Sequence, residues 1–270
     1  MVYGMLAGNG RFPMLALESA RRLGLEVVVI AIEEEAAPEV AAVVAKSYWI
    51  SLGALSKLID ICKTEGITQL MMCGQVKHTK IFSAIRPDWR LFKLLASLES
   101  KNTDALIGGV ARVLKDEGIE LADSTLLLKE LLAPAGVLTQ RKPSSDETKE
   151  LEYGRRIANS LAGFDIGQSV VIADRACVAL EAMEGTDAIL RRAAELTGGS
   201  PLRLVKSSRR RQHLLFDVPV LGLESIEVMK QTNTTAASFD AGRTLLLDRD
   251  PLIARANEYA ISLIGVAPTA

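Results

Sequence analysis

Along the first 75 residues the apolar positions switch between two periods. Residues 2–7, Val-Tyr-Gly-Met-Leu-Ala, form a short, nearly unbroken apolar run that predicts a buried strand. Gly8-Asn9-Gly10-Arg11-Phe12-Pro13 interrupts it as a turn. A helix is predicted over 13–23, with proline at a tolerated first-turn position and Gly24 as the stop. Residues 26–32 are a continuous β-branched run, the mark of a strand buried on both faces. A helix over 55–65 closes at Gly66, and a third strand follows over 68–73. This strand–helix alternation predicts a mostly parallel sheet with helices on its faces.

From Pro87 to about Leu132 the pattern turns helical. Its clearest element is 103–117, capped by Asn102 or Thr103 and ended by Gly118. Pro, Gly and Ser then concentrate in Ala133-Pro134-Ala135-Gly136 and Lys142-Pro143-Ser144-Ser145, which marks a domain boundary. The expected division is 1–133, a linker over 134–146, and 147–270. The second half reads as another α/β unit: helices over 147–162, from Thr186, over 225–230 and over 251–259, with strands over 169–173, 177–181, 202–205 and 244–247. The predicted fold class is therefore two-domain α/β: an N-terminal Rossmann-like parallel sheet with flanking helices, and a smaller C-terminal α/β domain. No internal repeat or low-complexity tract appears.

Composition narrows the classes. Of 270 residues, 49% are hydrophobic and 24% charged, the balance of a chain that folds and can bury a large core. The net charge of −1 supplies no global basic field for nucleic acid. Three scattered cysteines (Cys62, Cys73, Cys177) argue against a disulfide framework and for a reducing compartment. With only His78 and His213 besides, a His/Cys zinc site is not expected, whereas a hard cation held by carboxylates and phosphate oxygens remains open. The start of the chain does not read as a signal peptide, and the longest apolar run, 27–32, falls far short of the ~20 residues that span a bilayer. A cytoplasmic protein is expected, with membrane contact at most peripheral.

Four segments carry candidate chemistry. The glycines of 8–10, between a strand and a helix, let backbone approach a ligand and present a helix start to a phosphate, though many α/β domains open on such a turn for structural reasons. Pro13 stands where a third fingerprint glycine would be, which weakens a dinucleotide reading. Cys73-Gly74-Gln75-Val76-Lys77-His78 leaves a strand at its carboxyl end, so Gln75 and Lys77 face either a ligand or only solvent. Glu181, Glu184 and Asp187 recur every three residues around a Gly185-Thr186 turn, with Thr186 as the expected N-cap. Acids there satisfy the helix dipole without any function, yet they also suit a cation facing phosphates. Residues 207–222 set Arg209, Arg210 and Arg211 ahead of Asp217 and an apolar Val218-Pro219-Val220-Leu221-Gly222 segment. Such runs are usually solvated loops, but arginines grip phosphates and a shielded aspartate serves as base or metal ligand.

Taken in order, seven segments resemble one family: Leu6–Pro13, Gly74–His78, Asn102–Leu106, Asp165–Val171, Glu181–Asp187, Phe216–Gly222 and Ala241–Arg249. Their order and spacing are similar to those of the LpxI-type UDP-2,3-diacylglucosamine pyrophosphatases over almost the whole chain. The resemblance implies two α/β domains enclosing an amphipathic substrate. It also implies a step of lipid A biosynthesis: divalent-cation-dependent hydrolysis of UDP-2,3-diacylglucosamine to UMP and 2,3-diacylglucosamine 1-phosphate, with water attacking the β-phosphorus. It makes the aspartate of the Asp-x-Pro segment essential, here Asp217. The segment before it departs from the family's Lys-Pro-x-Gln-acidic-x-Arg-x-Asp pattern: Gln212 and Asp217 match, but Arg209-Arg210, His213 and Leu215 occupy the Lys-Pro, acidic and Arg positions.

The expected site follows. Asp217, Glu184 and Asp187 gather around Mg2+ or another divalent cation, with Asp217 holding the attacking water. Arg191, Lys206 and the arginine run supply phosphate charge, while Gly8, Asn9, Gly10, Gln75 and Lys77 shape the nucleotide end. Thr103, Asp104, Gln168, Thr186 and Gln212 complete the substrate-binding set. The expected partner is UDP-2,3-diacylglucosamine, with no nucleic acid; peripheral contact with the inner membrane and a homodimer stay open. Two rival readings are a nicotinamide-dependent oxidoreductase, which would use Glu33, Glu34 or Glu35 for a ribose, and a non-catalytic nucleotide-sugar or lipid-binding protein.

Overall fold

The computed structural model describes residues 2–76, 86–98, 103–164, 166–208 and 218–268, without the side chains of 103 and 104. The chain divides after Leu128 into two compact units, each with its own sheet.

In the first unit, strands β1 (Val2–Ala7), β2 (Val27–Ile32), β3 (Ser47–Ile50), β4 (Ile67–Cys73) and β5 (Glu120–Leu121) form one sheet in the order β3-β2-β1-β4-β5. Every pairing is parallel. Between the strands run α1 (Phe12–Arg22), α2 (Glu39–Ala42), α3 (Leu55–Thr64), α4 (Trp89–Ser97) and α5 (Thr103–Asp116). The β-branched run of β2 is buried at all its positions, which is why it lacks polar alternation. Ile30, Ile59, Leu70, Leu114 and Ile119 form the centre of one core cluster; burying each contributes about 1.5–3 kcal/mol. The pattern missed β3, so 68–73 belongs to the fourth strand rather than the third. Ser47-Tyr48-Trp49-Ile50 is a four-residue edge strand, only half-buried except at Ile50, and too short to show a period of two.

The second unit holds a six-stranded mixed sheet. Its members are β6 (Gly136–Val137), β7 (Ser169–Ala173), β8 (Ala176–Leu180), β9 (Leu202–Lys206), β11 (Thr234–Asp240) and β13 (Ser262–Val266), ordered β6-β13-β11-β9-β7-β8. Strands β9, β11 and β13 are parallel; β6, β7 and β8 run against their neighbours. A separate parallel pair joins β10 (Val220–Leu221) to β12 (Leu245–Leu246). Alternation along β7 sends Val170 and Ile172 toward α6 (Ser145–Gly163). Val171 and Ala173 join the cluster formed with α7 (Thr186–Leu196), α8 (Leu223–Gln231) and α9 (Arg249–Glu258). Helix α6 lies close on the sheet at Gly154, where an added Cβ would stand 2.7 Å from Val205. Its start is a full capping box between Ser144 and Glu147.

Strands β11 and β13 were not anticipated from the pattern, nor was the role of 134–146. Those residues are not a free tether: Gly136–Val137 pair with Ile264–Gly265, and a Cβ on Gly265 would meet Pro134 O at 1.9 Å. Arg141 donates to both carboxylate oxygens of Glu147 at 2.7 and 2.8 Å and to Ser262 Oγ at 2.7 Å.

Candidate functional site

Among the described residues a polar rim can be built in each unit. In the first it lies at the carboxyl ends of β1 and β4, where the strand order reverses and open α/β sheets take ligands. Gly8 N–H donates to Cys73 O at 2.8 Å, and Asn9 and Gln75 exchange backbone bonds of 2.8 and 3.0 Å. The fit is close. A Cβ on Gly8 would stand 2.6 Å from Gln75 O, and one on Gly74 2.6 Å from Asn9 O. Gly8, Asn9 and Gln75, distant in sequence, thus share one edge, while Gly10 is exposed with a φ of +96° that favours glycine. The start of α1 has no side-chain cap, so its first amides remain unclaimed by a capping side chain. Thr103 and Asp104 open α5, and Lys77 lies outside the described residues.

In the second unit the rim lies where β9 and β11 end and β7 begins. Thr186 is its hub. It is not the N-cap expected from sequence; Gly185, at φ 88°, takes that place, because the chain turns sharply out of β8 before α7. Released from capping, the Thr186 hydroxyl donates to Glu181 Oε1 at 3.3 Å and accepts from Lys206 Nζ at 3.2 Å. Ser169 Oγ stands 3.1 Å from the same hydroxyl. Lys206 Nζ also donates to Val220 O at 3.4 Å. The second oxygen of Glu181 is buried without a hydrogen-bond partner among the described residues, and so are Gln168 Oε1 and Ser207 Oγ. A desolvated polar atom with no partner costs roughly 1–3 kcal/mol, more for a charged group, so such atoms mark where a ligand or water completes the structure.

The three carboxylates at three-residue intervals have separate environments. Glu184 accepts from Ala182 N at 2.8 Å and pairs with Arg192 at 2.9 Å. Its own amide, that of Ala182 and the Arg192 charge hold its carboxyl below the ordinary value, against partial burial. Asp187 accepts from Ser225 Oγ at 3.0 Å. Glu181 alone of the three keeps a buried, uncommitted oxygen. Arg191 is exposed on α7, and its neighbour Arg192 makes the ion pair. Asp217, Gln212 and the arginine run lie outside the described residues. Among the described residues no group of three or more His, Cys, Asp or Glu side chains comes together to hold a metal.

Sequence reading did not single out a second buried set at this rim. Asp240, at the end of β11, accepts from Arg155 at 2.7 Å on one oxygen and from Ser208 N at 2.7 Å and the Ser208 hydroxyl on the other. No signal pointed to it, because β11 itself went unseen. The three cysteines are free; burial pushes Cys62 up to about 11 and Cys73 up to about 12, which leaves both as unreactive thiols. Glu33 and Glu34 accept from Ser51 Oγ and Leu52 N at 3.0 and 2.9 Å.

Comparison with known proteins bears on both units. Family models of the LpxI N-terminal and C-terminal domains match residues 2–131 and 134–264. A curated relative, UDP-2,3-diacylglucosamine pyrophosphatase LpxI of Caulobacter vibrioides, is 28% identical over 275 residues, covering 98% of this chain and 97% of its own. Among solved structures, a multifunctional pyruvate carboxylase from Rhizobium etli matches with a TM-score of 0.30 at 15% identity, over 64% of this chain and 14% of that one. The biotin carboxylase domain of a thermophilic 2-oxoglutarate carboxylase matches at 0.28 and 14% identity, over 72% of this chain and 40% of that one. This chain spans less than half the length of either matched chain, and likeness at that level carries no argument here. With both halves matched along nearly their whole length, the chain belongs to the LpxI family.

Proposed function

We propose that this chain hydrolyses the pyrophosphate bond of UDP-2,3-diacylglucosamine, the substrate in its relative's name, to UMP and 2,3-diacylglucosamine 1-phosphate, a step of lipid A biosynthesis. In this reading water adds to the β-phosphorus, the bridging oxygen departs with UMP, and the new oxygen stays on the glucosamine 1-phosphate. The observation that carries it is the second unit's rim, where an ammonium and an uncommitted buried carboxylate oxygen meet through one threonine hydroxyl.

Lys206 has three donors, of which two are committed; the third binds a phosphoryl oxygen and fixes the diphosphate for attack. Thr186, held by Ser169 and Lys206, keeps Glu181 in place so that its free oxygen faces the ligand. Asp217 holds the attacking water and takes its proton. Within the first unit taken by itself, Gly8, Asn9 and Gln75 form an edge suited to a nucleotide. A hard divalent cation would be held through Glu181, whose uncommitted oxygen is the right chemistry for one, together with Asp217, which the family resemblance makes essential. Such a cation, when bound, neutralises phosphoryl charge and acidifies water. Glu184 and Asp187 join only by giving up Arg192 and Ser225.

The test is incubation of the purified chain with UDP-2,3-diacylglucosamine and Mg2+ in 18O-labelled water, read by mass spectrometry. Label in the glucosamine 1-phosphate is expected, with loss of turnover in Asp217→Ala and in excess chelator. Label in UMP would reject attack on the β-phosphorus. Binding of the substrate without release of UMP would leave a nucleotide-sugar-binding protein instead.

A further inference from the structure

Helix α4 presents two unlike faces. Leu91 and Leu94 are buried and, with Leu95 and Leu98, pack into the first unit's core. On the opposite side Trp89 and Phe92 stand 74% and 54% exposed. Their rings stack at 5.9 Å between centroids, 23° apart in plane, and Lys93 and Ala96 are exposed beside them. Two large aromatic side chains held together in water are unusual for a surface that meets only water; such patches mark contact sites.

The charge around the pair narrows what that contact is. Arg86 and Lys93 are exposed, and neither pairs with an acid among the described residues. The acid of the segment, Asp88, is turned inward: it caps the helix by accepting from Leu91 N at 2.9 Å and also accepts from Ser56 N. Arg90, on the flank, is paired with Glu117. On the helix itself Lys93 thus carries positive charge that no acid among the described residues takes up, and Arg86, three residues before Trp89, adds another, on a chain whose net charge is −1. A convex helix face with Trp and Phe at its centre and cations at its margin is the composition of an interfacial membrane helix. The rings suit the headgroup level, and the cations suit anionic phosphates.

We propose that α4 docks the protein on an anionic phospholipid surface, with Trp89 and Phe92 inserted among the headgroups and Arg86 and Lys93 on lipid phosphates. The inference rests on the hydrolase reading only for its purpose, meeting an acylated substrate where it resides, because docking is measured without turnover. The protein has two tryptophans, so Trp49→Phe leaves Trp89 as the sole reporter. With vesicles of phosphatidylglycerol in phosphatidylcholine, its emission is expected to shift to the blue, and the protein is expected to float with the vesicles. Both effects should weaken with added salt and be far smaller on pure phosphatidylcholine. Trp89→Ala/Phe92→Ala should lower partitioning by about tenfold or more, while hydrolysis of detergent-dispersed substrate continues. Equal partitioning of that variant, or no partitioning of the wild type onto anionic vesicles, overturns the proposal. So does a change from dimer to monomer in the variant by light scattering, which would make the face a contact between two copies. Hydrolysis without docking would leave the enzymatic reading standing, and docking without hydrolysis would leave this one.

Discussion

At Gly8 a single methyl group is decisive. The glycine lies where β1 hands its hydrogen bonds to the Gln75 segment, and a Cβ there would meet a backbone oxygen rather than a side chain that can swing away. Gly8→Ala is expected to destabilise the first unit by about 1–3 kcal/mol, read in urea denaturation, and to weaken UMP binding. Unchanged stability would mean that the two backbones do not approach so closely. Glu181 poses the complementary question of an atom with nothing to bind. Replacing it by Gln removes the charge but keeps the shape. Glu181→Gln should therefore cost more turnover than Glu184→Gln, whose carboxylate is already committed to Arg192 and backbone amides. The opposite order would shift the chemistry back to the turn. The sequence displays all three acids equally; only the folded turn distinguishes the spent ones from the free one. The same holds for a nicotinamide reading, since Glu33 and Glu34 are engaged by Ser51 and Leu52.

At the scale of elements, α6 illustrates how a buried charge couples structure to pH. Burial by itself would push Glu147 up, but hydrogen bonds from Arg141, Thr235 and Ser144 N outweigh it and hold the carboxyl down to about 2, against an ordinary 4.5. A carboxyl depressed on folding stabilises the native state above its unfolded pKa and loses that contribution as pH falls through the folded one. The window is thus from about pH 4.5 down to about 2, and the contribution is on the order of 3 kcal/mol. Glu147→Gln should begin less stable at neutral pH, with Arg141 left unpaired, and should show a flatter decline across that window in urea titrations. A parallel decline in both proteins would place the acid sensitivity elsewhere. Elements were legible in sequence where one physical signal dominated. The continuous β-branched run gave β2, and the glycines closing α1 and α3 gave their ends. The two unseen central strands lacked such a signal. Thr234-Thr235-Ala236-Ala237-Ser238-Phe239-Asp240 is small and polar, yet nearly all of it is buried; with helices packed on both faces of the sheet, tertiary fit overrides strand propensity. Asp240 and its partners were hidden with that strand.

At the scale of the whole molecule, the question is where the second unit begins. Pro, Gly and Ser around 133–146 look like a hinge because those residues punctuate chains. In the folded unit they do structural work instead. Val137 and Gly136 extend the sheet beside β13, Thr139 Oγ1 accepts from Leu263 N at 3.0 Å, and Ser144 caps α6. Arg141 neutralises a Glu147 side chain that is only 4% exposed. A fragment of residues 129–270 retains every one of these, whereas one of 147–270 leaves buried Glu147 without Arg141 and only the more distant Arg203 at 3.8 Å, with an uncapped helix and an unpaired strand edge. Breaking a buried ion pair alone costs about 3–5 kcal/mol and losing a helix cap about 1, a large fraction of what holds a domain of this size together. The longer fragment is therefore expected to melt cooperatively by circular dichroism, and the shorter one to melt much lower or to remain unfolded. Matching transitions would show that 134–146 only tethers the two units.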